Sequence, residues 1–313
     1  MTNIESGELK MQSIVHTKGL TKYYQDAEIV TDVNLRLSKG QIYGLLGENG
    51  AGKSTILKML VGLVKPTDGS IELFGQKLDN NPKELLKRIG AIIEEPIFYR
   101  NLTVMESMKL HCEYMGYYNW KDIDKVIEIV KLDNARMKKV SQLSLGMKQR
   151  LALARAIVTK PEFLILDEPI NGLDPTGIKD VRNLLRDLNE KDGVTILVSS
   201  HILSEVEQLA STIGILSKHR LDKEVSMKEI HAKEGKFLEV KVDRVQTAAV
   251  VLDSVFHLQQ YAIVNDQTIR IYEDQVNQNE IMKALMDKDV RIISITKKEF
   301  SLEDYFFEII KEA

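Results

Sequence analysis

Two hydrophobic patterns divide the chain. From Ser13 to about Ser217, short apolar runs alternate with stretches of three-to-four apolar spacing. That alternation predicts an α/β domain built on a largely parallel sheet. Ile42-Tyr43-Gly44-Leu45-Leu46 reads as a buried strand that feeds a glycine loop and then a helix over Ser54 to Val64. Phe163-Leu164-Ile165-Leu166 and Thr195-Ile196-Leu197-Val198 predict two further buried strands, each closed by polar residues. Ligands of parallel sheets sit at such strand ends. Between these strands the spacing turns helical, which predicts an inserted helical lobe over about 97–156.

Beyond about Arg220 the pattern changes. Phe237 to Val242 alternates like a half-buried strand and a helical stretch follows from Gln246. Strands near His257 to Val264 and Thr268 to Tyr272, a helix around Asn277 to Met286 and a strand at Val290 to Ile295 complete the order. Strand-helix-strand-strand-helix-strand is the ferredoxin-like split unit. Ser301-Leu302-Glu303-Asp304 then offers an S-x-x-D helix start, with Tyr305, Phe306, Ile309 and Ile310 on one apolar face. The expected division is a large α/β domain over 13–219, a linker over 220–236 and a small α+β domain over 237–313.

Composition narrows the possibilities. With 43 basic and 46 acidic residues mixed along 313, the net charge of -3 gives no electrostatic footprint for nucleic acid or an anionic membrane surface. Membrane contact is therefore expected only through a protein partner. Cys112, the single cysteine, excludes an internal disulfide and a cysteine-based zinc site, and fits a reducing cytoplasm. Met1 to Lys10 lacks the apolar core of a secretory signal, and no apolar run approaches the ~18 residues of a membrane span.

Gly47-Glu48-Asn49-Gly50-Ala51-Gly52-Lys53-Ser54 is a complete G-x-x-x-x-G-K-S between a predicted strand and a predicted helix. Bare backbone N–H groups must wrap the phosphates, and side chains at the glycines would obstruct them. Gly47, Asn49, Gly50, Ala51, Gly52, Lys53, Ser54 and Thr55 are thus expected to line a nucleotide, with Lys53 on its β and γ phosphates and Ser54 on Mg²⁺. Asp167 and Glu168 close a second buried strand. Such a pair alone is commonly a turn or a helix cap. Downstream of a P-loop it predicts Asp167 at the metal through water and Glu168 as the general base for an attacking water.

In this motif order the chain resembles the ATP-binding cassette family from at least Ser13 to Lys218. Leu143-Ser144-Leu145-Gly146-Met147-Lys148-Gln149-Arg150 is similar to the family signature; by itself Ser-Leu-Gly before a helix is a cap and turn. The resemblance implies a mostly parallel core sheet, an antiparallel β subdomain and a helical lobe. It also implies a head-to-tail dimer in which Ser144 and Gly146 of one copy complete the ATP site of the other. Asn171-Gly172-Leu173-Asp174 resembles the D-loop, His201 the switch histidine, and Tyr24 the aromatic that stacks on adenine. Without the family, His201 is as readily structural, and Tyr24, beside Tyr23, is as readily a core aromatic.

Three positions, in two motifs, depart from the commonest family pattern. Leu145 and Met147 replace Gly and Gln in the signature, and Glu94 stands where most members carry the Q-loop glutamine. An ionised carboxylate there repels phosphate unless Mg²⁺ or a proton compensates, so Glu94 is counted with Ser54 and Asp167 at the metal. The acidic loop and this signature resemble the bacitracin-resistance and lantibiotic-immunity exporters. That resemblance implies an ATPase on the cytoplasmic face of the membrane, bound to a separate permease. The alternative is a non-transport ATPase acting on a ribosome, DNA or a sensor protein; a single P-loop and the absence of a basic tail weigh against it.

Overall fold

In the computed structural model, residues 13–79, 82–232, 237–256, 258, 261–272, 277–298 and 301–312 are described. The chain divides into two compact units, with the boundary between Met227 and Lys228.

The first unit is built on a six-stranded sheet. Its order is Arg220–Ser226, Thr212–Ser217, Ile42–Gly47, Thr195–Ser200, Phe163–Asp167, Ile89–Ile92. All neighbours are parallel except the first pair. Every residue of Ile42–Gly47, Phe163–Asp167 and Thr195–Ser200 is buried. These are the continuous apolar runs of the sequence, as strands covered on both faces must be. A second, antiparallel sheet contains Ser13–Tyr24, Ala27–Val33, Arg36–Ser38, Asp68–Leu73 and Gln76–Lys77. The helix Lys53–Leu60 contributes Ile56, Leu57, Met59 and Leu60 to the core that joins the two sheets, together with Leu35, Tyr43 and Phe163.

The inserted lobe carries the helices Val104–Met115, Trp120–Ile129 and Leu145–Ile157. Thr103 and Glu106 close a reciprocal capping box on the first of these, and Cys112 is buried within it. Leu145–Ile157 reaches the strand Ile89–Ile92 so closely that a Cβ at Gly90 would lie 2.0 Å from the Ala156 carbonyl oxygen. Among the described residues no helix is long and apolar enough to cross a membrane.

The second unit is a four-stranded antiparallel sheet in the order Tyr261–Asn265, Thr268–Ile271, Phe237–Val242, Ile292–Lys298. The helices Val245–Phe256 and Gln278–Met286 share its core through Val251, Leu252, Ile281 and Leu285. This is the strand order of the ferredoxin-like split unit. The terminal helix Leu302–Glu312 starts as the S-x-x-D signal predicts: Ser301 N–H donates to Asp304 Oδ2 at 3.0 Å, and Asp304 N–H to Ser301 Oγ at 3.3 Å. Tyr305, Phe306 and Ile309 are buried, while the Ile310 side chain lies outside those described.

The segment expected as a linker is not one. Arg220–Ser226 is an edge strand paired with Thr212–Ser217, and Met227–Ala232 is a helix; 233–236 lie outside the described residues. The strand is mostly exposed and alternates charges, so its apolar signal is weak. One of those charges is structural, because Tyr43 Oη donates to Glu224 Oε2 at 3.1 Å. The strand expected from His257 starts at Tyr261; His257 and the Met1–Lys10 segment also lie outside the described residues.

Candidate functional site

The strand Ile42–Gly47 ends in a loop whose glycines are dictated by space and backbone angle. A Cβ at Gly47 would lie 2.5 Å from the Leu216 carbonyl oxygen, and one at Gly52 would lie 2.5 Å from that of Ile29. Gly50 and Gly52 sit at φ 86° and 107°, where other residues are strained. The helix Lys53–Leu60 that follows has no side-chain cap and no acidic residue in its first turn. Its opening N–H groups and partial positive charge are thus kept for an anion.

Lys53 is buried, and its ammonium donates to the carbonyl oxygens of Gly47 at 2.7 Å and Glu48 at 3.1 Å. Burial lowers its pKa, while the nearby Glu168 and Asp167 carboxylates act to raise it. A cation held in a cradle of carbonyls beside two acids suits a phosphate that would replace those acceptors. Ser54 and Thr55 occupy the same first turn and are partly accessible.

Three carboxylates stand at the C-terminal ends of adjacent parallel strands, and each has its own partner. Asp167 is buried and accepts from Ser199 Oγ at 2.6 Å. Glu168, at φ 48°, donates its N–H to Ser199 Oγ at 3.1 Å, and its Oε2 lies 2.8 Å from His201 Nδ1. Glu94 is two residues past Ile92, the end of a strand whose last register partner is Leu166. Its carboxylate pairs with Lys58 of the P-loop helix. Lys58 is thus a counter-ion for Glu94 that the sequence did not assign, beside the metal expected there. Among the described residues no group of three or more His, Cys, Asp or Glu side chains is arranged to hold a metal. A divalent cation at Ser54 and Asp167 would complete its shell from phosphate and water, as Mg²⁺ commonly does.

The signature residues face elsewhere. Ser144 caps the helix Leu145–Ile157, its Oγ accepting from Met147 N–H at 3.3 Å. Gly146 lies beside Leu173, and Leu145 beside Gly172, so the signature touches the Asn171–Asp174 loop, whose Asp174 caps the helix Pro175–Asp192. Gln149, buried, donates to the Pro169 carbonyl at 2.8 Å and ties the signature helix to the segment after Glu168. Tyr24 is 47% exposed and Tyr23 39%, so neither is a core aromatic. Lys22 Nζ sits 5.0 Å from the Tyr24 ring centroid.

Sequence reasoning missed Ser199, Gln149 and Lys58. The polar end of Thr195–Ser200 was a local signal for Ser199; the other two depend on which elements meet.

Beside Glu94 runs a groove of about 470 Å³ between the strand Ile89–Ile92 and the helical lobe, lined by Glu95, Pro96, Ile97, His111 and Arg155. Arg155 Nη1 donates to the Ile97 carbonyl at 3.2 Å and its guanidinium faces Phe98. Ile97, Tyr99 and Tyr114 are exposed around it.

A model of the ABC transporter family matches residues 30–171. The ABC transporter ATP-binding protein YcbN of Bacillus subtilis is 51% identical over 96% of this chain and 98% of its own. The bacitracin transport ATP-binding protein BcrA of Bacillus licheniformis is 43% identical over 96% and 98%. The lantibiotic transport ATP-binding protein SrtF of Streptococcus pyogenes is 44% identical over 65% of this chain and 87% of its own. A dimeric ATP-binding cassette in a post-hydrolysis state with ADP and Pi superposes with a TM-score of 0.63, at 28% identity, over 68% of this chain and 98% of that one.

Proposed function

The chain belongs to the ATP-binding subunits of ABC transporters, and on that premise we propose that it hydrolyses Mg-ATP to drive a separate permease exporting a bacitracin-like peptide antibiotic. The observation that carries the cargo is coverage. The likeness to the bacitracin transport protein runs through both units, whereas the lantibiotic relative matches 204 residues. None of the relatives named supports the regulatory alternative.

The geometry supports the following roles in this reading. The P-loop backbone and Lys53 bind the phosphates, and Tyr24, exposed at its strand end, offers a face for adenine. Ser54 and Asp167 are the proposed holders of Mg²⁺, which when bound neutralises charge on the β and γ phosphates. Asp167 is kept acceptor-ready by the Ser199 hydroxyl on its other oxygen. Glu168 takes the proton of the attacking water, and His201 steadies the carboxylate and reaches the γ phosphate.

In this reading two copies close head to tail. Ser144 and the Gly146 backbone of one meet the ATP held by the other. Closure works on the permease because ATP binds the closed state more tightly than the open one. The groove at Ile97, His111 and Arg155 is the proposed seat of the permease. In this reading the subunit works at the cytoplasmic face of the membrane.

The test is survival in bacitracin of cells that carry this chain with its neighbouring permease, wild type against Glu168→Gln. Protection lost together with ATPase supports the export reading. ATPase lost with survival unchanged removes bacitracin as the cargo.

A further inference from the structure

The acidic Q-loop position carries a counter-ion on an element that also binds nucleotide. Lys58 lies four residues after Ser54 in the helix Lys53–Leu60, so the two share one helix face a single turn apart. Its ammonium pairs with the Glu94 carboxylate across 36 residues of chain. Glu94 sits at φ 59°, a conformation that its surroundings must hold in a non-glycine residue. Lys58 is the more enclosed partner, its side chain 26% exposed against 62% for Glu94.

The electrostatic problem at this edge is specific. Glu94, Asp167 and Glu168 stand at the ends of neighbouring strands, and a triphosphate must enter beside them. Lys53 serves the loop and the phosphates, and His201 and Ser199 serve Glu168 and Asp167. Only Lys58 answers Glu94 among the contacts described.

We propose that Lys58 is a positioning residue for nucleotide binding: it neutralises Glu94 and ties the acidic loop to the helix that carries Ser54, so that phosphate enters without repulsion. This rests on the ATP-site reading above. An exposed ion pair contributes only ~0–1 kcal/mol to folding, so its removal leaves the fold standing and its effect is felt by the ligand.

The test is a double-mutant cycle in the full chain, reading the Kd for a fluorescent ATP analogue in Mg²⁺. Lys58→Met is expected to weaken binding about tenfold in the wild-type background and less than about twofold in Glu94→Gln, because no charge then remains to neutralise. Lys58→Arg restores wild-type affinity. Equal loss in both backgrounds, or none in either, overturns the pairing. A wild-type chain that binds no ATP overturns instead the P-loop reading beneath it.

Discussion

Glu168 Oε2 and His201 Nδ1 stand 2.8 Å apart at the ends of two parallel strands paired from Phe163↔Thr195 to Asp167↔Ser199. The pairing uses one carboxylate oxygen and one ring nitrogen, which leaves Glu168 Oε1 for a water and His201 Nε2 for a phosphate. Glu168→Gln preserves the shape and the contact but removes the base. Turnover is expected to fall about 10²–10⁴-fold with the Kd for ATP within about threefold of wild type. Phosphate release gives the first number, and equilibrium binding the second. Unchanged turnover would remove Glu168 from the role of base.

Ser144 caps its own helix and, in the proposed dimer, also meets the partner's phosphate. Aspartate caps as well as serine does, so Ser144→Asp is expected to change folding stability by less than about 0.5 kcal/mol. It nevertheless sets a negative charge against the γ phosphate. ATP-dependent dimerisation of the Glu168→Gln chain, measured by light scattering, should then disappear. Ser144→Ala should show the converse, costing about 1 kcal/mol of stability through the lost cap. A dimer that survives Ser144→Asp would place the signature away from the nucleotide.

What the sequence made readable was local. The P-loop is legible because one run of residues meets its own steric demand, down to a Gly52 whose Cβ would strike Ile29. Asp167 and Glu168 are legible because an apolar strand ends on them, and the second unit because its periods alternate between two and three-to-four. The strand Arg220–Ser226 is hidden, since an exposed edge needs no apolar face and the charge of Glu224 is taken up by buried Tyr43. The partner of Glu94 is hidden for another reason. Lys58 is an unremarkable polar residue of a helix until the strand order brings the loop to it. Gln149 likewise reads as part of a signature, and only the fold shows it holding Pro169.

In the second unit Arg270 is the cation between two mostly buried acids. Its Nη2 lies 2.6 Å from Asp304 Oδ1 and its Nε 3.5 Å from Glu239 Oε2, with Lys298 at 2.9 Å from the other oxygen of Glu239. The Arg270 guanidinium also lies over the Phe237 ring. Arg270→Leu leaves Asp304 without its cation and Glu239 with only the half-exposed Lys298. A loss of about 3–5 kcal/mol is expected in urea unfolding followed by a probe in this unit. The terminal helix should detach first, seen as faster hydrogen exchange over Leu302–Glu312. Stability unchanged by Arg270→Leu would show that apolar packing of Leu302, Tyr305 and Phe306 holds the helix without the ion pair.

His111 makes the first unit sensitive to acid. Burial in the groove, reinforced by the Arg155 guanidinium, pushes its imidazole down to about 4 in the folded chain. An unfolded histidine titrates near ~6.5. Above that pH both states are neutral and the residue adds no pH dependence. As pH falls from ~6.5 toward 4, the unfolded chain takes up a proton that the folded chain refuses, so stability is lost, by about 2 kcal/mol near pH 5. Below 4 both states are protonated and the dependence levels off. Urea midpoints compared near pH 7.5 and near pH 5 should show the drop. His111→Gln should flatten this part of the profile while the carboxylate-driven loss at lower pH persists. A wild-type midpoint unmoved between those two pH values would mean that the groove admits a charged imidazole beside Arg155.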